Sequence, residues 1–324
     1  MKTLTGLAAA CLACLPLSAV AAPEDAYPDK AVRIVVPFAA GGSTDVVARI
    51  LAEKLQEKFK QPFVVDNRAG ASGNIGAELV AKSPADGYTL LMGATGVLSI
   101  NDHLYARLNY NAARDFVPVS YTTENANILV VAPGLPATDV PALIQMARTK
   151  PGELSFASSG PGSSTHLSGE LFSSLTGVKL MHVPYKGSSA ALTDLLGGNV
   201  TMLFDNAPSS IGFVQQGKLR ALAVTSRQRL PGLPNVPTLD EAGVKGYESL
   251  SWSGVVAPAA TPKGIVLKLN RAIDQILKSD DVKARLVQLG VEPVGGTPED
   301  FARQIKTEHD KWGKVIQTAG IKLN

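Results

Sequence analysis

Short, nearly continuous apolar runs alternate along this chain with stretches in which apolar residues recur every fourth position. Val32–Phe38 (VRIVVPF) is the first such run. It has no polar face, so it reads as a strand buried on both sides. Asp45–Lys60 follows as a helix, with Val47, Leu51, Leu55 and Phe59 on one face. Phe63–Asp66 reads as a strand, Gly76–Lys82 as a short helix and Tyr88–Gly93 as a strand. Such an alternation demands a parallel sheet covered by helices, because parallel strands can be joined only by a crossover.

The alternation restarts after Val117–Val131. Ile128–Ala132 predicts a strand and Val140–Thr149 a helix, with Thr138 as its N-cap. Leu154–Ala157 is a strand, and Leu167–Thr176 is a helix ended by Gly177, with Leu167, Leu171 and Leu175 as its stripe. Leu180–Pro184, Ala190–Leu196, Val200–Phe204 and Leu219–Val224 complete a second α/β unit. After the strand Trp252–Ala257 come two helices, Ile265–Lys278 and one that opens at Thr297-Pro298-Glu299-Asp300 and runs to about Thr318. Helices without strands of their own need a sheet to cover, so they are expected to return to the first unit. The chain then crosses twice between lobes, near Thr122–Ala126 and Gly246–Ser251, which is a hinge arrangement. The expected lobes are residues 23–124 with 250–324, and residues 125–249.

Residues 1–22 stand apart. Lys2, the apolar stretch Leu4–Val20 and the small-x-small triplet Ala19-Val20-Ala21 read as a cleavable secretory leader. Pro16 and the abundance of Ala argue against a membrane anchor, and Ala8 before Cys11 lacks the Leu of a lipoprotein site. Both cysteines, Cys11 and Cys14, lie in this leader, so the exported chain has no disulfide, thiolate nucleophile or Cys-based metal site. The expected compartment is a bacterial periplasm. A net charge of +3 leaves no electrostatic footprint for nucleic acid or an anionic membrane. The 4 His (His103, His166, His182, His309) are scattered without metal-ligand spacing, and no cofactor or metal is expected.

The chemistry is expected at loops on the carboxyl ends of strands, where open α/β sheets bind ligands. Pro37–Asp45 (PFAAGGSTD) and Ser158–His166 (SSGPGSSTH) each join a strand to a helix N-terminus, and Asn67–Gly76 and Gly93–Ser99 are similar. Free N–H groups at helix N-termini attract anions. Two such loops facing across a cleft would clamp carboxylates. No nucleotide-binding fingerprint is present, and GASGN at Gly70–Asn74 lacks the last Gly of a nucleophile elbow. His166 reads as pocket lining or a cap, since a general base needs a nucleophile and an orienting acid beside it. His182 reads as a core residue, and His103 and His309 as surface residues. Phe38 and Tyr185 stand open between core filling and an aromatic wall. Asp205 stands open between capping the segment after it and selecting the ligand.

At these loops the chain resembles a known family. RIVVPFAAGGSTDVVAR (Arg33–Arg49), VVDNRAGASGNIGAE (Val64–Glu78), SPADGYTLLMG (Ser83–Gly93), ASSGPGSSTHLSGELF (Ala157–Phe172), HVPYKGSSAALTDLLGG (His182–Gly198), KLRALAVTS (Lys218–Ser226) and WSGVVAPAATP (Trp252–Pro262) are similar to the tripartite tricarboxylate transporter substrate-binding proteins, the Bug receptors. The resemblance implies a two-lobed α/β periplasmic binding protein of the Venus-flytrap kind, each lobe a mainly parallel sheet with helices. It implies a monomer, not an enzyme, that delivers a small carboxylate to a two-component integral-membrane permease. A sensor subunit for a signalling receptor and a secreted hydrolase are the alternatives. By the match, Phe38, Ala40, Gly41, Ser43, Ser158, Gly160, Gly162, Ser163 and His166 hold the ligand, with Thr95, Tyr185 and Asp205 at the variable distal end. Ala40 and Ala69 stand where members often carry Pro.

Overall fold

A computed structural model describes residues 26–319; the expected leader lies outside the described residues. The first half runs β1 (Val32–Val36), α1 (Ser43–Phe59), β2 (Phe63–Asn67), α2 (Asn74–Ala81) and β3 (Thr89–Ala94), with β1 parallel to both β2 and β3. Two short helices, α3 (Asn101–Leu104) and α4 (Ala112–Asp115), lead into the long β4 (Phe116–Val131). The second unit is α5 (Val140–Thr149), β5 (Ser155–Ser158), α6 (Ser164–Thr176), β6 (Met181–Pro184), α7 (Ser188–Leu196), β7 (Met202–Asn206), α8 (Ala207–Gln215) and β8 (Arg220–Val224). Here β5 is parallel to β6 and β7. The chain closes with β9 (Leu250–Pro258), α9 (Lys263–Leu277), α10 (Asp280–Gln288), β10 (Val291–Pro293) and α11 (Pro298–Ala319).

The continuous apolar character of β1 has a direct cause. Ile34 and Val36 face a core shared with Val47, Leu51 and Leu55 of α1 and Ile265, Leu269 and Ile273 of α9. Val35 faces the opposite core, with Ala77 and Val80 of α2 and Phe301 of α11. The second unit repeats the plan. Phe156 and Phe204 pack with Leu143 and Phe172 on one face, while Ala157 and Leu203 pack with Leu192, Leu195 and Ile211 on the other. The C-terminal helices do return to the first sheet, as expected. Phe301 stacks on Tyr121 at 5.5 Å and meets Trp252 edge-on at 5.7 Å.

The strand order is β2-β1-β3-β9-β4-β7-β5-β6, with β8 and β10 also paired to β4. Thus β4 belongs to both units: Phe116–Ala126 pair with β9, and Asn127–Val131 pair with β7. Both β4 and β9 run antiparallel to their neighbours, so each unit is a parallel core joined to antiparallel strands. The polar stretch SYTTENAN hides β4 from a hydropathy reading. Most of its side chains are buried and bonded: Thr122 Oγ1 donates to the Ser253 carbonyl at 2.8 Å, and Asn127 Nδ2 donates to Ser168 Oγ at 2.7 Å, although Asn127 Oδ1 has no partner among the described residues.

Other local expectations need correction. The N-cap of α5 is Asp139, not Thr138; its carboxylate accepts the Ala142 N–H at 2.8 Å. Leu175 is 46% exposed, so the α6 stripe is Leu167 with Phe172 instead. Thr297 and Asp300 form a reciprocal cap at the start of α11, each side chain bonding the other's backbone N–H. Phe301→Ala should cost about 3–5 kcal/mol by opening a cavity between α11 and the sheet. Denaturant unfolding should show it, with most of the loss in the midpoint rather than the slope.

Candidate functional site

The loop after β1 is shaped by one carboxylate. Asp45, in the first turn of α1, is 2% exposed. Its Oδ2 accepts the Gly41 N–H and Arg49 Nε, both at 2.9 Å, and its Oδ1 accepts Asn67 Nδ2 at 2.9 Å. Asn67 also donates to the Phe38 carbonyl at 3.1 Å. These bonds fix the loop from both ends. Gly41 has φ +82°, a conformation other residues adopt only with strain. Burial opposes the charge on Asp45, but the Arg49, Gly41 and Asn67 bonds outweigh it and hold its carboxyl below the usual range. The N-cap of α1 is Gly42, which has no side chain to bond the N–H groups of the first turn.

The loop after β5 is built from hydroxyls and two imidazoles. Ser163 caps α6, accepting the His166 N–H at 3.2 Å and donating to the Gly160 carbonyl at 2.6 Å. The Ser159 N–H reaches Thr165 Oγ1 at 2.8 Å, and the Gly162 N–H reaches His166 Nδ1 at 3.1 Å. Ser158 Oγ accepts the Gly160 N–H at 3.2 Å and is hydrogen-bonded to His182 Nε2 at 2.6 Å. His166 and His182 stack at 4.0 Å, with Phe156 beyond His182 at 4.9 Å. His182 is therefore a bonded, packed residue, as its strand position predicted.

The Ser158–His182 pair has the spacing of a hydrolytic dyad, but not its chemistry. Ser158 is 0% exposed. Burial, then the neighbouring His166, push the His182 imidazole down to about 3, too weak a base to activate a hydroxyl at neutral pH. The pair instead holds Gly160 in place.

Further helix starts converge on the same region. The N-caps of α7 (Gly187) and α8 (Asn206), and Thr95 before the π-turn Gly96–Ile100, make no side-chain cap bond. A chamber of about 30 Å³ lies among them. At roughly 10–15 Å³ per water it holds about two waters, the bulk of a carboxylate group. It is lined by Gly42, Ser43 and Thr44 of α1, Thr95 and Gly96, Ser163 and Ser164 of α6, Ser188 of α7 and Asn206 of α8, with Phe38, Ala94, Ser159 and Ser251. No Lys, Arg, Asp or Glu is among the lining residues.

Phe38 and Ser159 also border a second chamber of about 260 Å³. Its walls include Gly70–Gly73, Tyr105, Pro161, Pro184, Tyr185 and Lys186. The Tyr185 hydroxyl is engaged by Asp194 at 2.6 Å, so its remaining role is that of a wall.

Of the expected residues, Phe38, Ser43, Thr95 and Ser163 line the inner chamber, and Tyr185 lines the outer one. Ala40, Gly41, Ser158, Gly160, Gly162 and His166 line neither chamber; Ala40 and Gly41 are exposed in the loop after β1, and the other four are buried at the loop after β5. Asp205 lines neither chamber: it is 0% exposed and accepts the Ser209 hydroxyl at 2.7 Å, while Oδ1 has no partner among the described residues. Burial raises its carboxyl to about 6. Sequence reasoning overlooked Asp45, Ser188, Asn206 and Ser251. A signal did exist for Ser188 and Asn206, since each opens a helix after a strand.

The two banks meet through glycine. A Cβ on Gly162 would lie 2.6 Å from Leu104 Cδ1 and 2.9 Å from Asn101 Oδ1, and its φ is +78°. Gly162→Ala should therefore keep the banks apart and weaken ligand binding about tenfold or more, read by calorimetry; unchanged affinity would contradict the close approach. Asp45 gives a pH prediction. Because its folded pKa is lowered, its bonds add stability above about pH 4 and lose it as pH falls further. Asp45→Asn should flatten stability against pH below about 4 and loosen the Gly41 loop, as acid titration of the thermal midpoint would show.

Comparison with known proteins identifies the family. A model of the tripartite tricarboxylate transporter family receptor matches residues 47–321. A protein from the tcbD-tcbE intergenic region of Pseudomonas sp. strain P51 is 43% identical, covering 100% of this chain and 95% of its own. Protein BugT of Bordetella pertussis is 41% identical over 94% of each. Among solved structures, R. palustris Rpa4515 with adipate superposes with a TM-score of 0.90 at 46% identity, covering 91% of this chain and 99% of that one. MatC from Rhodopseudomonas palustris with bound malate gives 0.85 at 33% identity, covering 90% and 100%. The chain belongs to the tripartite tricarboxylate transporter receptor family: it is a bilobed periplasmic substrate-binding protein, not an enzyme.

Proposed function

We propose that this receptor captures a small dicarboxylate and passes it to a two-component membrane permease. The observation that carries the reading is the convergence of helix starts without side-chain caps on a chamber that no charged residue lines. Each helix end contributes about 0.3–1 kcal/mol toward an anion, and up to about 2 where water is excluded. Hydroxyls of Ser43, Thr44 and Ser164 add neutral donors. The inner chamber takes one carboxylate. The outer chamber takes the rest of the molecule, and Lys186 offers its distal carboxylate a cation. The adipate and malate held by two related receptors support a dicarboxylate.

In this reading residues 1–22 are removed on export. The lobes divide as residues 23–124 with 250–324, and 125–249, with β4 and the return into β9 as the hinge. Ala40, Gly41, Ser158, Gly160, Gly162 and His166 act by shaping loops, and Asp205 stays out of reach of the ligand. Asp205→Asn should therefore leave ligand preference unchanged.

Calorimetry across three- to eight-carbon mono- and dicarboxylates should find a dissociation constant near micromolar, about −8 kcal/mol. No acid binding better than about 1 mM would overturn the proposal. Lys186→Met should weaken the best dicarboxylate about three- to tenfold while sparing the matching monocarboxylate. Equal losses for both would remove Lys186 from the distal site. Small-angle scattering should show compaction on saturation, since closure needs contacts from both lobes.

A further inference from the structure

Away from the cleft, α3 and α11 bring together Asp102, His103 and His309. One ligand atom from each lies within 4.8 Å of the others. The hydrogen bonds around them set which nitrogens are available. His103 Nε2 lies 3.0 Å from the His309 carbonyl, which can only accept, so Nε2 carries the proton and Nδ1 the lone pair. His309 Nε2 faces Asp102 Oδ2 at 2.7 Å, and its Nδ1 faces Asp310 Oδ1 at 3.6 Å. Asp310 lies near the far nitrogen without a hydrogen bond to it and is itself held by Lys306 at 2.6 Å, so Nε2 on the Asp102 side is the nitrogen of His309 offered to the cluster. The rings stack at 4.1 Å, and Gly313 leaves room for His103, because a Cβ there would come within 2.7 Å of its ring.

We infer that Asp102, His103 and His309 form a binding site for a divalent cation of the zinc class, with a fourth position open to water. Two imidazoles and one carboxylate suit Zn²⁺, Co²⁺ or Ni²⁺ rather than Mg²⁺ or Ca²⁺, which take oxygen ligands. Opening the 2.7 Å His309–Asp102 contact by about half an ångström accommodates a metal with bonds of roughly 2.0–2.1 Å to each. The cation would tie the C-terminal helix to α3. That helix also supports the cleft wall: Asn101 donates to the Ser72 carbonyl at 3.3 Å, and Tyr105, just beyond its end, donates to Ser72 Oγ at 2.9 Å.

The chain has only 4 His, and the other two lie stacked in the second unit, so the assignment can be tested cleanly. Untagged mature receptor, stripped with chelator, is titrated with ZnCl₂ by calorimetry and followed by thermal unfolding. One equivalent should bind at micromolar affinity or tighter and raise the melting midpoint, with Mg²⁺ giving neither effect. The His103→Gln/His309→Gln double variant should lose at least about thirtyfold in zinc affinity, and Asp102→Asn a smaller amount. Retained dicarboxylate binding in each variant reports that the fold is intact. Zinc binding weaker than about 100 μM in the unaltered receptor, or equal affinity in the double variant, would overturn the site.

Discussion

Every α-helix leaves the N–H groups of its first turn without backbone partners, and this molecule directs several such ends at one point. Most of what distinguishes the structure serves that convergence. The strand–helix crossovers put helix starts on the same edge of each parallel core. The long β4 and β9 join the two cores so that those edges face each other. The chamber between them holds hydroxyls and backbone amides but no charged side chain. A fixed positive side chain would bind anions more tightly and discriminate among them less. Dipoles and neutral donors favour a carboxylate while leaving it able to depart, as a transport receptor requires.

The loops that present these groups are held by polar networks that the ligand need not touch. Asp45 organises one bank, and the Ser158, His182 and His166 cluster organises the other. Each network is centred on buried groups, Asp45 in one and Ser158 and His166 in the other, for which removing one partner is costlier than the bond's net worth. Asp205 is not fully partnered, nor are Asn101 and Asn127: each has one buried side-chain oxygen unpartnered among the described residues.

Much of the fold could be read from periodicity. β1, α1, α9 and α11 were legible because their apolar residues keep strict spacing against two cores. β4 was not, since Thr122, Thr123, Asn125 and Asn127 are buried polar residues whose partners come from distant segments. α10 and β10 were missed for the opposite reason: DDVKARLVQ buries only Val282 and Leu286. At the site, the Gly- and Ser-rich loops announced themselves. Sequence alone could not separate residues that line the chamber, such as Ser43 and Ser163, from residues that shape it, such as Gly41 and His166. Nor could it show that Asp102 and His103 would meet His309 from the other end of the chain.

The central claim is that backbone amides at helix starts hold the carboxylate. Amide chemical shifts recorded during titration with the best-binding dicarboxylate test it most directly. The account predicts that the largest perturbations fall on Ser43, Thr44, Gly96, Ser164 and Ser188, with the Asp45 and His182 networks nearly still. Perturbations centred on Lys186 and the outer chamber, with those amides unmoved, would contradict it.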